Sequence, residues 1–133
     1  MRSFLTSALA LIILFAASCK KEKEAKASKI GGEYTMYKFE DNSGTEPMPT
    51  KDGEYGKVVV TLKNDTIASV QFALYDKANK AIIDETNDCK IAKDDGDIVL
   101  VLVRNNRVAA YIDESYDMEF VGVPIGSFWA KKK

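Results

Sequence analysis

Short β-rich segments, each bounded by a tight-turn signal, constrain the fold of this chain more than any other feature. Asn64-Asp65 lies between two such segments, residues 58–62 and 67–75. Asn and Asp tolerate the positive φ that a two-residue hairpin loop requires, so this pair predicts a hairpin. Similar turn signals recur at residues 76–79, Asp95-Gly96, Asn105-Asn106 and Gly122-Val123-Pro124.

The spacing of these turns, about one in every ten residues, is typical of an antiparallel β meander. With residues 33–39 as the first strand, we expect an all-β fold of about eight or nine short strands. A sheet of that size closes into a small barrel or folds into a sandwich, because long exposed edges promote aggregation. Residues 70–85 also permit an amphipathic helix, which stays open as an alternative.

Alternating apolar residues assign the inner faces of the predicted strands, since successive side chains of a strand point to opposite sides. Residues 98–103 are apolar on both faces. This predicts that a chain terminus, a second sheet or another subunit covers the outer face of that strand. The residues expected in the core include Val58, Val60, Leu62, Val70, Phe72, Leu74, Met118, Phe120, Phe128 and Ala130.

Composition restricts the class of protein. The chain has 133 residues, a formal net charge of −1 and no histidine. That length fits one domain, which we place at residues 30–133. The near-neutral charge lacks the basic surface of a nucleic-acid-binding protein, so we expect no nucleic-acid partner. Histidine is the commonest general base and metal ligand, and without it we expect neither an enzyme nor a metal site.

The amino terminus predicts an export signal at residues 1–18. Arg2 precedes an unbroken apolar stretch, residues 8–17. This stretch is too short to cross about 30 Å of hydrocarbon as a helix. A basic start, a short apolar stretch and a small-residue end are the parts of a cleavable signal peptide. Cleavage by an ordinary secretory peptidase after Ser18, and retention as an uncleaved anchor, are alternatives to processing as a lipoprotein.

Ala16-Ala17-Ser18-Cys19 resembles the lipobox of bacterial lipoproteins. The resemblance implies that Cys19 receives a diacylglyceryl group, carries fatty acids such as palmitate and becomes the first mature residue. Lys20 stands where aspartate favours the inner membrane, which implies the outer membrane, facing the periplasm or the cell surface. Residues 19–29 are then a charged tether, of which the ten residues after Cys19 extend to about 35 Å. With no apolar side chain larger than alanine, this tether is not expected to pack on a core.

The globular part resembles small lipocalin-like barrels in its opening Gly32-Glu33-Tyr34 and its closing residues 127–133, SFWAKKK. That resemblance implies a carrier of a small apolar ligand. Residues 52–72 look like the opening strands of flavin-binding lipoprotein domains. The Ser/Thr-Gly-Ala-Thr motif that attaches flavin in those domains is missing here. We therefore expect no flavin and no other cofactor.

Four aromatic residues are candidates for ligand or partner contact: Tyr34, Tyr37, Tyr55 and Trp129. Aromatic side chains line many apolar ligand sites, although an ordinary β core uses the same residues. Cys89 has no intrachain partner once the other cysteine is lipidated. We expect Cys89 to be a small buried side chain rather than a reactive thiol.

Several polar residues are candidates for chemistry. Asp65-Thr66-Ile67 resembles the O-glycosylation sequence of some exported bacterial proteins, which makes Thr66 a candidate for modification. Two acidic groups are interpreted as solvated turns or polar faces rather than a calcium site or glycosidase carboxylates. Residues 42–51 are expected to form the longest irregular loop, with surface for a partner. The acidic groups comprise Asp94, Asp95 and Asp97, and Asp113, Glu114, Asp117 and Glu119.

These features predict a lipid-anchored cell-envelope lipoprotein. Its small, non-catalytic β domain is expected to bind an envelope partner, such as a protein or a glycan. The alternative is a lipocalin-like carrier of a small apolar ligand. A carboxylate-based hydrolase is a third and less favoured interpretation, because nothing beyond the acidic groups supports it.

Overall fold

The structure, a computed structural model, describes residues 25–133. The predicted signal peptide, the lipobox and residues 19–24 of the tether lie outside the described residues. The described chain contains nine β-strands and one short 3₁₀ turn. These are the turn Ala27–Lys29 and the strands β1 (Gly32–Asp41), β2 (Gly44–Pro47), β3 (Tyr55–Leu62), β4 (Ile67–Tyr75), β5 (Ala81–Asp94), β6 (Asp97–Leu102), β7 (Val108–Ile112), β8 (Asp117–Phe120) and β9 (Ser127–Lys132).

The strands form one antiparallel sheet that closes into a barrel. β1 pairs with β3, each later strand pairs with the next, and β9 returns to pair with β1. The closed barrel has eight strands, and β2 is an extra strand on the second half of β1. The all-β prediction is confirmed, and closure decides in favour of the barrel over the sandwich.

The barrel closes through pairing between its first and last strands, β1 and β9. Residues 34–40 of β1 pair with residues 127–132 of β9, with an irregularity in register at Tyr37. Phe39 and Phe128 lie opposite each other, with ring centroids 4.7 Å apart. Because β9 covers one side of β1, neither strand presents a continuous exposed edge there.

Local sequence explains the turns. Asp95 and Gly96 have φ of +50° and +87° in the two-residue loop between β5 and β6. Positive φ at both positions is what such a loop needs, so this hairpin prediction is confirmed. The loop at Asn64 is longer than predicted and covers residues 63–66. It differs because the Asn64 side-chain oxygen accepts two backbone N–H groups, which stabilises a wider turn.

Residues 70–85 belong to two strands, so the helical alternative is wrong. β4 and β5 pair along their common length, with Phe72 opposite Glu85. Asp76 initiates the turn between them, because its carboxylate accepts two backbone N–H groups of the turn. β4 also has β3 on its other side, so strand partners satisfy the backbone of this segment on both edges.

Two segments are more regular than predicted. β5 is one strand of 14 residues, where we expected only short strands. Its middle is polar, and the ladder with β4 keeps it extended despite that composition. Residues 42–51 contain β2, which forms a hairpin with β1 rather than a wholly irregular loop.

Apolar side chains fill the barrel interior. The residues predicted for the core are buried, except Leu62, which is half-buried against it. Phe72 lies among other aromatic rings, with ring centroids 4.7 Å from Phe120 and 5.0 Å from Phe128. Within residues 25–133 no polar or charged residue is fully buried. The interior is therefore stabilised by close packing of apolar groups.

β6 has two apolar faces without needing a second layer over it. Its residues at positions 98, 100 and 102 belong to the interior, whereas Val99 lies on the outer side and is only 7% exposed. Val99 sits between Ala92 and Tyr111 in the register of the sheet. Neighbours on the same face shield each other in this way. Side chains of the same sheet therefore cover Val99. The chain terminus, second sheet or other subunit that we expected over this face is not required.

Residues 25–31, which we call the entry strap, close the end of the barrel where β1 begins. Ala25 and Ile30 are buried, and the Ala25 N–H donates to the carbonyl of Gly96 at 3.0 Å. Tyr34 is also fully buried, and its hydroxyl donates to the Ile30 carbonyl at 2.7 Å. The expectation that no tether residue packs on the core is corrected for Ala25, whose small side chain fits this crowded end.

We expect Tyr34→Phe to lower the free energy of unfolding by about 1–3 kcal/mol, because a carbonyl of a buried residue loses its donor. Urea denaturation followed by Trp129 fluorescence measures the loss. Tyr37→Phe is the matched control, since Tyr37 is exposed, and we expect it to cost less than about 0.5 kcal/mol. Equal losses in both variants would contradict the role of Tyr34 in closing the barrel end.

Candidate functional site

The four aromatic residues predicted to contact a ligand or partner do not form one site. Tyr34 is fully buried at the entry-strap end and offers no surface to a ligand. Tyr55 lies at the opposite end, stacked on Tyr75 with ring centroids 5.3 Å apart. Tyr37 and Trp129 lie on the neighbouring strands β1 and β9. Only this last pair contributes to a common surface.

Aromatic and charged side chains alternate around Trp129. The Nζ atom of Lys38 lies 4.0 Å from the centroid of the Trp129 ring, a cation–π contact. Glu119 is paired with Trp129 on one side and with the exposed Tyr111 on the other. Aromatic rings beside charges are typical of surfaces that bind proteins or glycans. We call this surface the Trp129 face, and it consists of Tyr37, Lys38, Tyr111, Asp117, Glu119 and Trp129.

Tyr37 links this face to β8. Its hydroxyl donates to the Asp117 carboxylate, 2.9 Å from both oxygens. Partial burial, together with the hydrogen bond to Asp117, raises the pKa of Tyr37 to about 12. The phenol therefore stays protonated at physiological pH and acts as a hydrogen-bond donor. This arrangement fixes a surface side chain in place and does not activate a base or a nucleophile.

The β6–β7 register brings the two predicted acidic groups together. Ile98 pairs with Ile112, so Asp97 and Asp113 lie at adjoining strand ends. Burial, and then the negative charges of Asp113 and Asp95, raise the pKa of Asp97. In the described part of the chain no group of three side chains is arranged to hold a metal ion. The merged cluster is an acidic surface at the entry-strap end of the barrel.

A groove with lysines lies at the same end. It runs between the entry strap and the β3–β4 loop and has a volume of about 500 Å³. Lys26, Lys63 and Lys93 line it. The Nζ atom of Lys63 is 2.8 Å from a carboxylate oxygen of Asp88, which neutralises one of these charges. Residues 26–28 of the entry strap form one wall of this groove.

The barrel interior is not a ligand cavity. The enclosed space beside Phe72, Cys89 and Phe120 measures about 10 Å³. That is about the space one water molecule needs. Sites for small organic ligands typically measure about 300–1,000 Å³. The packed interior does not support the carrier that the lipocalin-like resemblance implies.

Cys89 is fully buried at the edge of that small space. Burial, and secondly the negative charge of Asp88, raise the pKa of Cys89 to about 11. The side chain is therefore a protonated thiol at neutral pH, and a buried thiol is a poor nucleophile. The prediction of a small buried side chain is confirmed.

Thr66 lies in the exposed loop between β3 and β4. Its hydroxyl donates to the Asn64 side-chain oxygen at 3.0 Å. The loop is accessible from solvent, as a modifying enzyme requires, although glycosyl transfer would have to replace this hydrogen bond. O-glycosylation of Thr66 stays a prediction.

β5 has an open edge that we did not predict. β6 pairs only with residues 89–94 of β5, whereas β5 begins at Ala81. The Val103 N–H donates to the Asp88 carbonyl at 3.1 Å, and β6 ends there. In the described chain no strand continues alongside residues 82–87 on the β6 side, and we call this segment the β5 open edge. The sequence signal that could have predicted this edge is the Asn105-Asn106 turn, which ends β6 while β5 is still unpaired at its amino-terminal half.

No protein-family model, curated protein or solved structure matches this chain. Between residues 25 and 133 there is no helix with the length and apolarity needed to cross a bilayer. The small β-barrel is therefore established by the structure alone. The resemblances to lipoproteins and to lipocalin-like barrels stay predictions.

We expect Cys89→Ala to reduce the loss of stability at high pH. The folded pKa of about 11 lies above the ordinary value of 9.0, so the unfolded thiol ionises first. Its stabilising contribution is complete below pH 9 and is lost as the pH rises through 11. From pH 8 to 11 the wild type should lose roughly 1–3 kcal/mol more than the variant. Urea denaturation at both pH values measures this, and parallel losses would contradict the buried-thiol assignment.

Proposed function

We propose that this protein is a bacterial cell-envelope lipoprotein, anchored by acyl chains on Cys19, whose barrel is a non-catalytic binding domain. The apolar stretch of residues 8–17 and the lipobox-like Ala16-Ala17-Ser18-Cys19 support the anchor. Lys20 supports the outer membrane as its location. The proposed partner is a protein or a glycan of the envelope.

The position of the entry strap favours tethered presentation at a short distance. Ala25 is hydrogen-bonded to Gly96 and buried, so only residues 19–24 are left to connect the barrel to the lipid. Six residues extend to about 20 Å, well short of the reach of the whole predicted tether. The strap end of the barrel would therefore lie close to the headgroups. The opposite end, with the loop of residues 76–80, would point away.

The packed interior is the observation that favours binding on the outside over carriage of a ligand inside. A space of about 10 Å³ beside Phe72 holds no small organic ligand. The Trp129 face and the β5 open edge, in contrast, offer exposed aromatic, charged and backbone groups. Absence of histidine from the whole chain supports a non-catalytic role.

We expect the wild-type protein from its own cells to be heavier than its unmodified mature sequence by a diacylglyceryl group and fatty acids, and to stay with the membrane fraction. Cys19→Ala should remove the added mass, because the acylated sulfur is lost. Intact-mass spectrometry after detergent extraction measures this. Cys89→Ala is the matched control and should keep the lipid. Identical masses for the wild type and Cys19→Ala would overturn the proposal, and an extracted protein that retains a small apolar molecule would favour the carrier.

A further inference from the structure

We propose that the β5 open edge binds an extended, basic peptide segment of a partner protein, which adds to the barrel as an antiparallel strand. This inference rests on the proposed function, because it specifies the kind of partner that the anchored domain binds. Strand addition supplies affinity through main-chain hydrogen bonds and selectivity through alternate side chains. The open edge offers both of these to a peptide.

Some backbone N–H and C=O groups of the open edge face away from β4 and are free to pair with an added strand. The Ile91 N–H donates toward β4, to the carbonyl of Thr66, whereas the Asp88 carbonyl accepts from β6. Backbone groups alternate between the two sides of a strand, so odd-numbered residues of β5 face β4. The N–H and C=O groups of Asp84 and Thr86 therefore face the open side, and the register irregularity opposite Leu74 and Tyr75 ends this alternation at Ile82. Asp84 and Thr86 would form the ladder with an added strand.

The space beside this edge lies on the path that β6 would follow if it were longer. β6 runs antiparallel to β5 and turns away after Leu102. An antiparallel peptide would continue that path along residues 82–87. Two exposed apolar side chains mark its ends, because Ile82 is 49% exposed and Val103 is 45% exposed. They provide apolar contacts for a peptide at each end of a polar edge.

The charges of the open edge select a basic peptide. Asp84 and Glu85 are exposed, and within the described chain neither forms an ion pair. Asp84 accepts only a hydrogen bond from the neutral Gln71 amide, at 3.0 Å. Asp88, in contrast, is already paired with Lys63. Asp84 and Glu85 point to opposite faces of β5, so lysine or arginine on either face of an added strand would lie near one of these unpaired carboxylates. Cross-strand pairs of opposite charge stabilise a sheet.

The same charges disfavour a second copy of this chain. Two β5 edges paired around Asp84 would place that carboxylate opposite its counterpart, and like charges directly opposite are destabilising. Charged edges of this kind prevent self-association of sheets. The acidic edge is therefore suited to a different chain that carries the opposite charge.

The tether of this protein is too short to occupy the edge itself. Ala25 is fixed at Gly96 in the turn after β5, and Asn87, the nearest residue of the open edge, lies seven residues before the end of β5 at Asp94, about 23 Å away. Residues 19–24 extend to about 20 Å and would be held at the membrane by the lipid. The mature chain therefore leaves the edge available to a partner in trans.

Amide hydrogen exchange of the full mature protein in detergent micelles tests the proposal. The probe is an eight-residue peptide that alternates lysine and valine. At about ten times its Kd, we expect the N–H groups of Asp84 and Thr86 to exchange about tenfold more slowly. The N–H groups of Ile83 and Glu85, which face β4, should not change. A peptide with glutamate in place of lysine should bind more weakly.

Two variants and one control make the outcome decisive. Asp84→Lys should weaken binding of the lysine peptide about fivefold, because an attractive pair becomes repulsive. Thr86→Pro should also weaken it, since proline removes an N–H of the open side while the β4 ladder is kept. Asp52→Lys makes the same charge change away from the edge and should bind as the wild type does. Urea denaturation confirms that each variant is folded.

Three results would overturn the proposal. They are unchanged exchange at Asp84 and Thr86 with saturating peptide, equal binding of the acidic peptide, and a dimer of this chain that Thr86→Pro dissociates. The unlipidated Cys19→Ala variant should bind the peptide as the wild type does. A missing lipid would therefore reject the anchor while leaving the edge result intact, and failure of peptide binding would leave the anchor in place.

Discussion

Pairing between β1 and β9 is the constraint on which the rest of the structure depends. It joins the two ends of the domain across 34–40 and 127–132 and converts a meander into a closed barrel. Closure forces the inward side chains of all eight strands into one interior. Phe72, Phe120 and Phe128 fill that interior so closely that about 10 Å³ remains beside them. A small barrel filled with large side chains has no room for a ligand.

Because the interior is full, binding chemistry is restricted to the outside. The Trp129 face supplies aromatic and charged groups, and the β5 open edge supplies unpaired backbone. That edge exists because strands of unequal length meet in one sheet, with 14 residues in β5 and 6 in β6. Barrel closure covers the edges of β1 and β9. An exposed edge is left on β5, because β5 extends beyond the end of its partner β6. Its acidic side chains oppose self-association and support the proposed basic partner.

The entry strap is the first part of the described chain that packs on the barrel. Ala25 and Ile30 close the barrel end, and the Tyr34 hydroxyl holds the Ile30 carbonyl. Under the proposed lipid anchor, this packing would leave a short connecting segment and turn this end of the barrel toward the membrane. The acidic surface around Asp97 and the lysine groove are at that same end. The open edge lies further along β5, toward the opposite end.

The sequence by itself determined the all-β class, the turn at Asp95-Gly96 and the alternating core residues such as Phe72 and Met118. Positive φ and side-chain alternation are properties of a few neighbouring residues, so they can be predicted locally. Tertiary structure alone decided that the barrel closes, that Tyr34 is buried and that β5 extends beyond the end of β6. It also brought Asp97 beside Asp113. These depend on the register between strands distant in sequence, which is set by which pairs pack together and not by any local pattern.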